Sequence, residues 1–324
     1  MRVAIIGAGM AGLGAAAELK SSGHEPVLFE ESSEAGGRVE SVQLGAYLFD
    51  TGATSIAPRT AELERMMFQH LDPKDLVPVQ QPIYVHESLR ISRGDPRKNA
   101  IPRFAYRNGN AELARLLAKD FDVRLKTQVQ ELERGSDGYR VCGEAFEAVI
   151  LTPPAPIVLN LLASIGEHRP LQTVTYRPCL SVLLGYDKPL PSVGYHALVE
   201  PEQRHPLTWL SLESEKAPGR APENHSAIVA QMSPAFSRAH FESDETRIVQ
   251  LVSDYIERLY GVAFATPKVH GLRRWLHSQA ESFASFSSAN PARTRIAVAG
   301  DGVSASRVEA AYESGVKAAR ILMS

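Results

Sequence analysis

The chain of 324 residues is long enough for about two domains, and its 44% hydrophobic and 22% charged shares describe a well-cored globular protein rather than a disordered one. Its 35 Lys and Arg against 37 Asp and Glu create no global field for nucleic acid or an anionic membrane, so any polyanionic ligand must be held locally. Cys142 and Cys179 lack the spacing of a disulfide framework, a metal knuckle or a redox dithiol, and both are expected as buried thiols in a reducing compartment.

Residues 2–6, Arg-Val-Ala-Ile-Ile, read as a short strand buried in a parallel sheet, with no room before them for a charged and apolar leader. A cytoplasmic location is the expectation. An alanine-rich helix over 11–20 ends before Ser21-Ser22-Gly23, and 27–30 form the second parallel strand. The spacing of Leu63, Met66 and Met67 predicts a helix over 60–70 with one buried face. From 71 to 102, prolines and charges interrupt any period, which predicts a loop-rich excursion with a strand at 83–85. Order returns with a helix over 111–119, strands at 123–125 and 129–133, and a hairpin through Ser136-Asp137-Gly138 into 139–142.

The apolar run 148–165 opens as a buried strand and is broken by Pro153, Pro154 and Pro156, so it is not read as a membrane span. Beyond it the pattern predicts strands at 180–186, 207–212 and 227–232 and an amphipathic helix over 245–260. The C-terminus repeats the α/β pattern, with a strand at 295–299, a turn at Gly300-Asp301-Gly302 and a helix over 308–323. Parallel-sheet strands at both ends imply a discontinuous α/β Rossmann-type domain (1–58, 100–155, 268–324) with an inserted β-rich α+β substrate domain (59–99, 156–267).

Gly7-Ala8-Gly9-Met10-Ala11-Gly12 lies between the first strand and the first helix, where Gly7 permits the tight turn, Gly9 lets a pyrophosphate approach the backbone and Gly12 allows close helix packing. Glu30, followed by Glu31, ends the second strand, where a carboxylate accepts the ribose hydroxyls of an adenosine. Three later features favour non-covalent FAD over NAD. Gly37 and Arg38 follow Gly36, bringing amides and a guanidinium towards phosphate; Gly52, Ala53 and Thr54 follow Asp50 and Thr51 in a glycine approach suited to a flavin ring; and Gly300-Asp301 places an acid for ribityl hydroxyls. Ser306-Arg307-Val308-Glu309 has the spacing of a capping box, so Arg307 and Val308 are expected at a helix N-terminus facing the flavin.

The stretches GAGMAGLGAAAELKSSGHEPVLFEESSEAGGRV and IAVAGDGVSASRVEAAYESGVKAARIL resemble the N- and C-terminal motifs of the glutathione-reductase-like flavoproteins, which include amine oxidases, protoporphyrinogen oxidase, phytoene desaturases and renalase. Val129 matches the position whose backbone reads adenine in that superfamily. Within it the chain looks most like renalases of bacterial type. Trp209 to Arg220, Ser233 to His240 and Trp275-Leu276-His277-Ser278-Gln279 are similar to segments of those proteins, whereas Thr54-Ser55-Ile56 departs from the trio that usually follows the Gly-Ala beside the flavin. The resemblance implies hydride transfer from dihydronicotinamide isomers of NAD(P)H to flavin, with O2 as the oxidant.

Gln279 is the candidate for a polar contact to the substrate carboxamide, its competing reading being a glutamine that satisfies the core. Tyr176, Arg177, Trp209 and His277 are candidates for the substrate pocket, with His277 a hydrogen-bonding group rather than a base, since a dihydropyridine donor requires none. Arg90, Arg93, Arg97, Lys98, Arg103 and Arg107 read either as a clamp for a phosphorylated substrate or as a solvated basic loop. No metal-ligand or nucleophile-elbow motif is present, and no metal is expected. An amine oxidase or desaturase acting on another small molecule, and a flavin-binding redox sensor without turnover, stand as alternatives.

Overall fold

Val3, Ala4, Ile5 and Ile6 are all buried, which for consecutive strand residues requires that both faces of the strand be covered. The computed structural model, which describes residues 1–324, shows how. Arg2–Ile6 is the middle strand of a five-stranded parallel sheet, between Ala148–Leu151 and Glu25–Phe29, with Ile296–Val298 and Asp122–Arg124 at the edges. Val3 and Ile5 face a core built from the helices Met10–Ser21 and Val308–Met323, while Ala4 and Ile6 face a second core that includes Phe146 and the helix Ala155–Ala163. The two helices of the first core touch backbone to backbone. A methyl on Gly14 would overlap the Tyr312 carbonyl, and one on Gly315 the Ala11 carbonyl.

A second, seven-stranded sheet runs in the order Val269–Ala280, Tyr176–Tyr186, Ser226–Met232, Leu207–Leu212, Ala197–Val199, Ile83–Glu87, Arg90–Arg93. Side chains alternate across it. Val182, Leu210 and Ala230 pack on Ile248, Val252 and Ile256 of the amphipathic helix Glu245–Tyr260. The opposite face meets the dinucleotide domain through Leu183, Ala227 and Val229, which pack on Tyr47 and Phe49. Along that face the cross-strand register lines up Val199, Trp209, Gln231, Ser181 and Arg273 in one row.

The domain seam differs from the expected one in three places. Val269–Ala280 pairs antiparallel with Tyr176–Tyr186, so the chain returns to the dinucleotide domain after Ala280 rather than at 268. Leu63, Met66 and Met67, expected in the substrate domain, belong to the dinucleotide core. So does the run from Ala155 to Val174, because Pro154 is the N-cap of a helix and Pro156 lies in its first turn, where a missing N–H costs nothing. Prolines that read as a break start an element instead. The strand expected at 129–133 is reduced to Glu133–Arg134, and the capping box is absent: Arg307 is the N-cap and makes no side-chain cap, while Ser306 turns to Asp301 at 3.2 Å. No helix is long and apolar enough to cross a membrane.

The domains are joined by a buried cluster of two acids and two bases, each with a side chain 0% exposed. Lys216 Nζ lies 2.6 Å from Asp50 Oδ2 and 2.6 Å from Glu213 Oε2, and Arg220 Nη2 lies 2.9 Å from Asp50 Oδ2. Arg220 also donates to the Tyr106 carbonyl at 2.6 Å. Burial pushes the Asp50 carboxyl up, but Lys216 and Arg220 outweigh burial and hold it at about 2.

Candidate active site

Gly7, at φ +96°, turns the chain from the central strand into the helix Met10–Ser21 in a conformation that L side chains avoid. The helix N-cap, Gly9, makes no side-chain cap and no acid lies in the first turn, so the helix's own side chains leave its first amides free. The helix Val308–Met323 likewise begins without a side-chain cap. Residues from both N-termini line one cleft of about 920 Å³: Gly7, Gly9, Met10 and Ala11 at one end of the chain, Arg307 and Val308 at the other. Glu30, Glu31, Gly37, Arg38, Gly52, Ala53, Val129, Gly300 and Asp301 line the same cleft. Gly12 and Thr54 do not. Gly12 packs against the Gly7 carbonyl and Ile5, serving the turn rather than the cleft.

Acids and bases divide the cleft. The Glu30 carboxylate is held by the Ala8 N–H at 2.8 Å and the Ser32 N–H at 2.9 Å, leaving lone pairs on both oxygens. The Arg38 guanidinium, expected near a phosphate, lines the cleft and is engaged by the chain itself. It forks Asp301, donating from Nη1 to Oδ2 at 2.5 Å and from Nη2 to Oδ1 at 2.9 Å, and donates further to the carbonyls of His277 and Ser278, both at 3.2 Å. One guanidinium thereby joins the two sequence motifs to the strand Val269–Ala280. Tyr176, expected in the substrate pocket, lines neither cavity. Its hydroxyl accepts from the Ala155 N–H at 3.1 Å and donates to Asp301 at 3.3 Å, and burial, with Asp301 adding, pushes its pKa up to about 12. His277 lines the large cleft, its ring against Tyr176; burial, and then the charge of Arg38, push its pKa below the usual value, which keeps the ring neutral at pH 7.

A smaller cavity of about 180 Å³ adjoins this cleft, with Gln231, Ser278 and Gln279 lining both. Trp209, Arg177, Cys179 and Glu200 complete much of its wall. Gln279 is exposed and its Oε1 accepts from the Arg177 guanidinium, which also donates to Gln203 at 2.8 Å. Its oxygen is therefore already engaged. The Glu200 carboxylate accepts the backbone N–H groups of Glu202, Arg204 and His205.

Gln231 escaped sequence reasoning. The available signal was a single glutamine inside the otherwise apolar run Ala227 to Met232. Its Nε2 donates to the Gly52 carbonyl at 2.7 Å and the Thr51 carbonyl at 3.3 Å. Ser181 Oγ at 2.7 Å and Trp275 Nε1 at 3.0 Å also donate to the Thr51 carbonyl. Three strands of the substrate domain thus clamp the Thr51-Gly52 strip, while a methyl on Gly52 would run into the Arg38 carbonyl from the other side. Thr54, Ser55 and Ile56 line neither cavity; Ile56 is fully buried and bridges to Phe104. None of the six basic residues of the 90–107 region lines either cavity, and Arg90–Arg93 forms the edge strand opposite the one that reaches the cleft. No lysine lines either cavity.

A Rossmann-type domain whose two uncapped helix ends share a cleft of this size fits a dinucleotide-binding architecture. The comparisons agree. The model of the flavin containing amine oxidoreductase family matches residues 85–323, and an NAD(P)-binding Rossmann-like domain matches residues 5–71. The chain belongs to the flavin containing amine oxidoreductase family, which makes it an FAD-dependent oxidoreductase. Among curated relatives, 4,4'-diapophytoene desaturase (4,4'-diaponeurosporene-forming) of Staphylococcus aureus is 43% identical over 56 residues, a match covering 17% of this chain and 11% of the relative. Similar solved structures include putrescine oxidase bound to putrescine (13% identity, 99% and 98% of the two chains, TM-score 0.77) and cyclohexylamine oxidase from Brevibacterium oxydans IH-35A (13%, 98% and 98%, 0.77). Reduced UDP-galactopyranose mutase is also similar (12%, 99% and 95%, 0.74). At these identities the likeness is one of fold, and a fold shared by oxidases and a mutase leaves the substrate to be argued from the site.

Proposed function

We propose that the protein is a renalase-like oxidase that oxidises dihydronicotinamide isomers of NAD(P)H. Bound FAD would supply a two-electron acceptor for the hydride, and O2 with a proton would then leave as hydrogen peroxide, the other product being NAD(P)+. The reading rests on one observation above all: a polar cavity of about 180 Å³, too small for a whole dinucleotide, shares Gln231, Ser278 and Gln279 with the cofactor-sized cleft. A single ring fits such a space while the remainder of the substrate stays outside.

The residues present suit a neutral hydride donor better than an ammonium ion. Arg177 places a cation in the wall, and the one carboxylate there, Glu200, is committed to three backbone N–H groups. A dihydropyridine that gives up a hydride becomes a stable pyridinium, so no side chain has to remove a proton from carbon. The remaining tasks are orientation and exclusion of water, to which the clamped Thr51-Gly52 strip and the apolar walls of the cleft contribute. Residues Gly9, Met10, Ala11, Arg38, Asp301, Arg307 and Val308 would hold the cofactor, and Glu30 its adenosine ribose. The test is stoichiometric: in air, the isomers should consume one O2 and form one hydrogen peroxide per pyridinium produced, with putrescine and cyclohexylamine inert. Peroxide formation from the amines alone refutes the reading.

A further inference from the structure

Five arginines line the two cavities, and the chain treats one of them differently. Arg38, Arg273 and Arg307 each pair with a carboxylate, that of Asp301, Glu40 and Glu309 respectively. Arg274 donates from Nε and Nη2 to the carbonyls of Phe241 and Ser243. Arg177 pairs with no carboxylate: its two Nη atoms donate to the side-chain oxygens of Gln203, at 2.8 Å, and of Gln279. Amide oxygens hold a guanidinium in place without neutralising it. Both contacts are solvent-exposed, and the Nε–H, which has no acceptor in the chain, is not buried either. A ligand that enters the small cavity therefore meets a cation with free donors.

The two glutamines are themselves held. Gln279 faces Arg177 directly across the strand pair Val269–Ala280 and Tyr176–Tyr186. Gln203 sits at φ +55°, a left-handed conformation that an L side chain adopts only under constraint. The constraint is the Glu200 carboxylate, which ties the turn by accepting the N–H groups of Glu202, Arg204 and His205. The one carboxylate of the cavity wall is thus spent on the turn that carries Gln203, and not on Arg177. A guanidinium pinned in advance loses little freedom when it binds, and its planar fork matches the oxygens of a phosphate. Gln279 lines both cavities, so Arg177 stands one side chain away from the cofactor cleft.

We propose that Arg177, set in place by Gln203 and Gln279, binds the phosphate that adjoins the nicotinamide ribose of the substrate. The assignment rests on the dihydronicotinamide reading above and narrows it to nucleotides, against ribosides and free ring compounds. Gln279 becomes a positioning residue that acts through Arg177. The phosphate contact that the sequence suggested for the basic residues of the 90–107 region, none of which lines either cavity, passes to an arginine isolated in sequence.

The test needs no turnover. Oxidised holoprotein is titrated calorimetrically with nicotinamide mononucleotide and with nicotinamide riboside, which share ring and ribose and differ by the phosphate. Wild type should bind the mononucleotide about tenfold more tightly at low salt, and the gap should shrink as salt is raised. Arg177→Met should close the gap to within about twofold and leave the riboside unaltered, while Arg177→Lys, which keeps the charge but not the fork, should retain part of it. Gln203→Ala lies at an exposed position, where folding has little to lose, and should weaken the mononucleotide about threefold without affecting the riboside. Equal binding of the two compounds by wild type overturns the assignment, as does a mononucleotide that fails to bind or a gap that survives in Arg177→Met. Should Arg177→Met not fold, an unaltered mononucleotide affinity in Gln203→Ala overturns it instead. Because binding is read on the oxidised protein, a gap lost in Arg177→Met while the isomers fail to reduce the flavin upholds the phosphate contact and removes the hydride-donor reading. Reduction by the isomers without a gap removes only the phosphate contact.

Discussion

The guanidinium of Arg38 grips both oxygens of the Asp301 carboxylate, binding the residue after Gly36 and Gly37 to the acid of the C-terminal turn across 263 positions of sequence. The Asp301 side chain is only 4% exposed, so it depends on that partner. Arg38→Met leaves it with the hydroxyls of Ser306 and Tyr176. We expect a loss of about 3 kcal/mol, as for other buried pairs deprived of one member, and release of FAD at lower urea than in wild type. Asp301→Asn, which retains the shape and frees Arg38, should cost less. Urea titrations monitored by flavin fluorescence check the order of the two variants.

The Thr51-Gly52 strip has no spare room. A methyl at position 52 would overlap the Arg38 carbonyl, whereas one at Gly23 meets nothing within 4 Å. Gly52→Ala should therefore yield protein with little bound FAD, while Gly23→Ala, strained only by its φ of +77°, should keep a full complement. The ratio of visible to ultraviolet absorbance after gel filtration reports both.

The buried cluster at the domain seam predicts an acid-side signature. The folded-state pKa of Asp50 lies at about 2, below its ordinary 3.8, so the carboxylate stabilises the fold above pH 4 and that contribution disappears as pH falls towards 2. Burial, reinforced by the charge of Asp50, instead raises Glu213 above its ordinary value despite Lys216 and Arg220, so its ionisation opposes folding as pH rises past that value. Asp50→Asn should be markedly less stable than wild type at pH 6, by about 3 kcal/mol, with the gap narrowing between pH 4 and pH 2. Chemical denaturation at pH 6, 4 and 3 measures it, and a gap that widens in acid contradicts the assignment.

The cysteines should differ sharply in reactivity. Cys142, expected to be buried, is exposed, whereas Cys179 lines the small cavity and burial pushes its thiol up to about 11, leaving almost no thiolate at pH 8. One equivalent of maleimide should enter the native protein at Cys142. Cys179 should react far more slowly until the protein is unfolded, as peptide mapping of the labelled chain would reveal.

Much of the cofactor cleft was legible because its residues obey local rules. Gly7 and Gly300 mark turns with positive φ, Gly9 marks an uncapped helix start, and Glu30 marks a strand end, all of which short stretches of sequence disclose. The partnerships were not legible, because they depend on register between distant strands. Arg38 finds Asp301 and the carbonyls of Val269–Ala280 only once that strand lies along Tyr176–Tyr186, a pairing that also moved the expected domain boundary. The same holds for Gln231, whose importance comes from its contact with Gly52. Tyr176, a candidate for the substrate pocket, instead serves with its hydroxyl the start of the helix Ala155–Ala163, a contact that only the fold brings about. The basic residues at 90–107 clustered in sequence, but folding set Arg90–Arg93 on the far edge of the seven-stranded sheet.

The central claim is that the flavin held in this cleft takes a hydride from a dihydronicotinamide ring and not from an amine. Anaerobic rapid mixing of the yellow holoprotein with dihydronicotinamide isomers of NAD(P)H, and separately with putrescine and cyclohexylamine, tests it most directly. The account predicts complete bleaching of the visible flavin bands by an isomer within seconds and none by the amines. Bleaching by an amine, with the isomers inert, contradicts it.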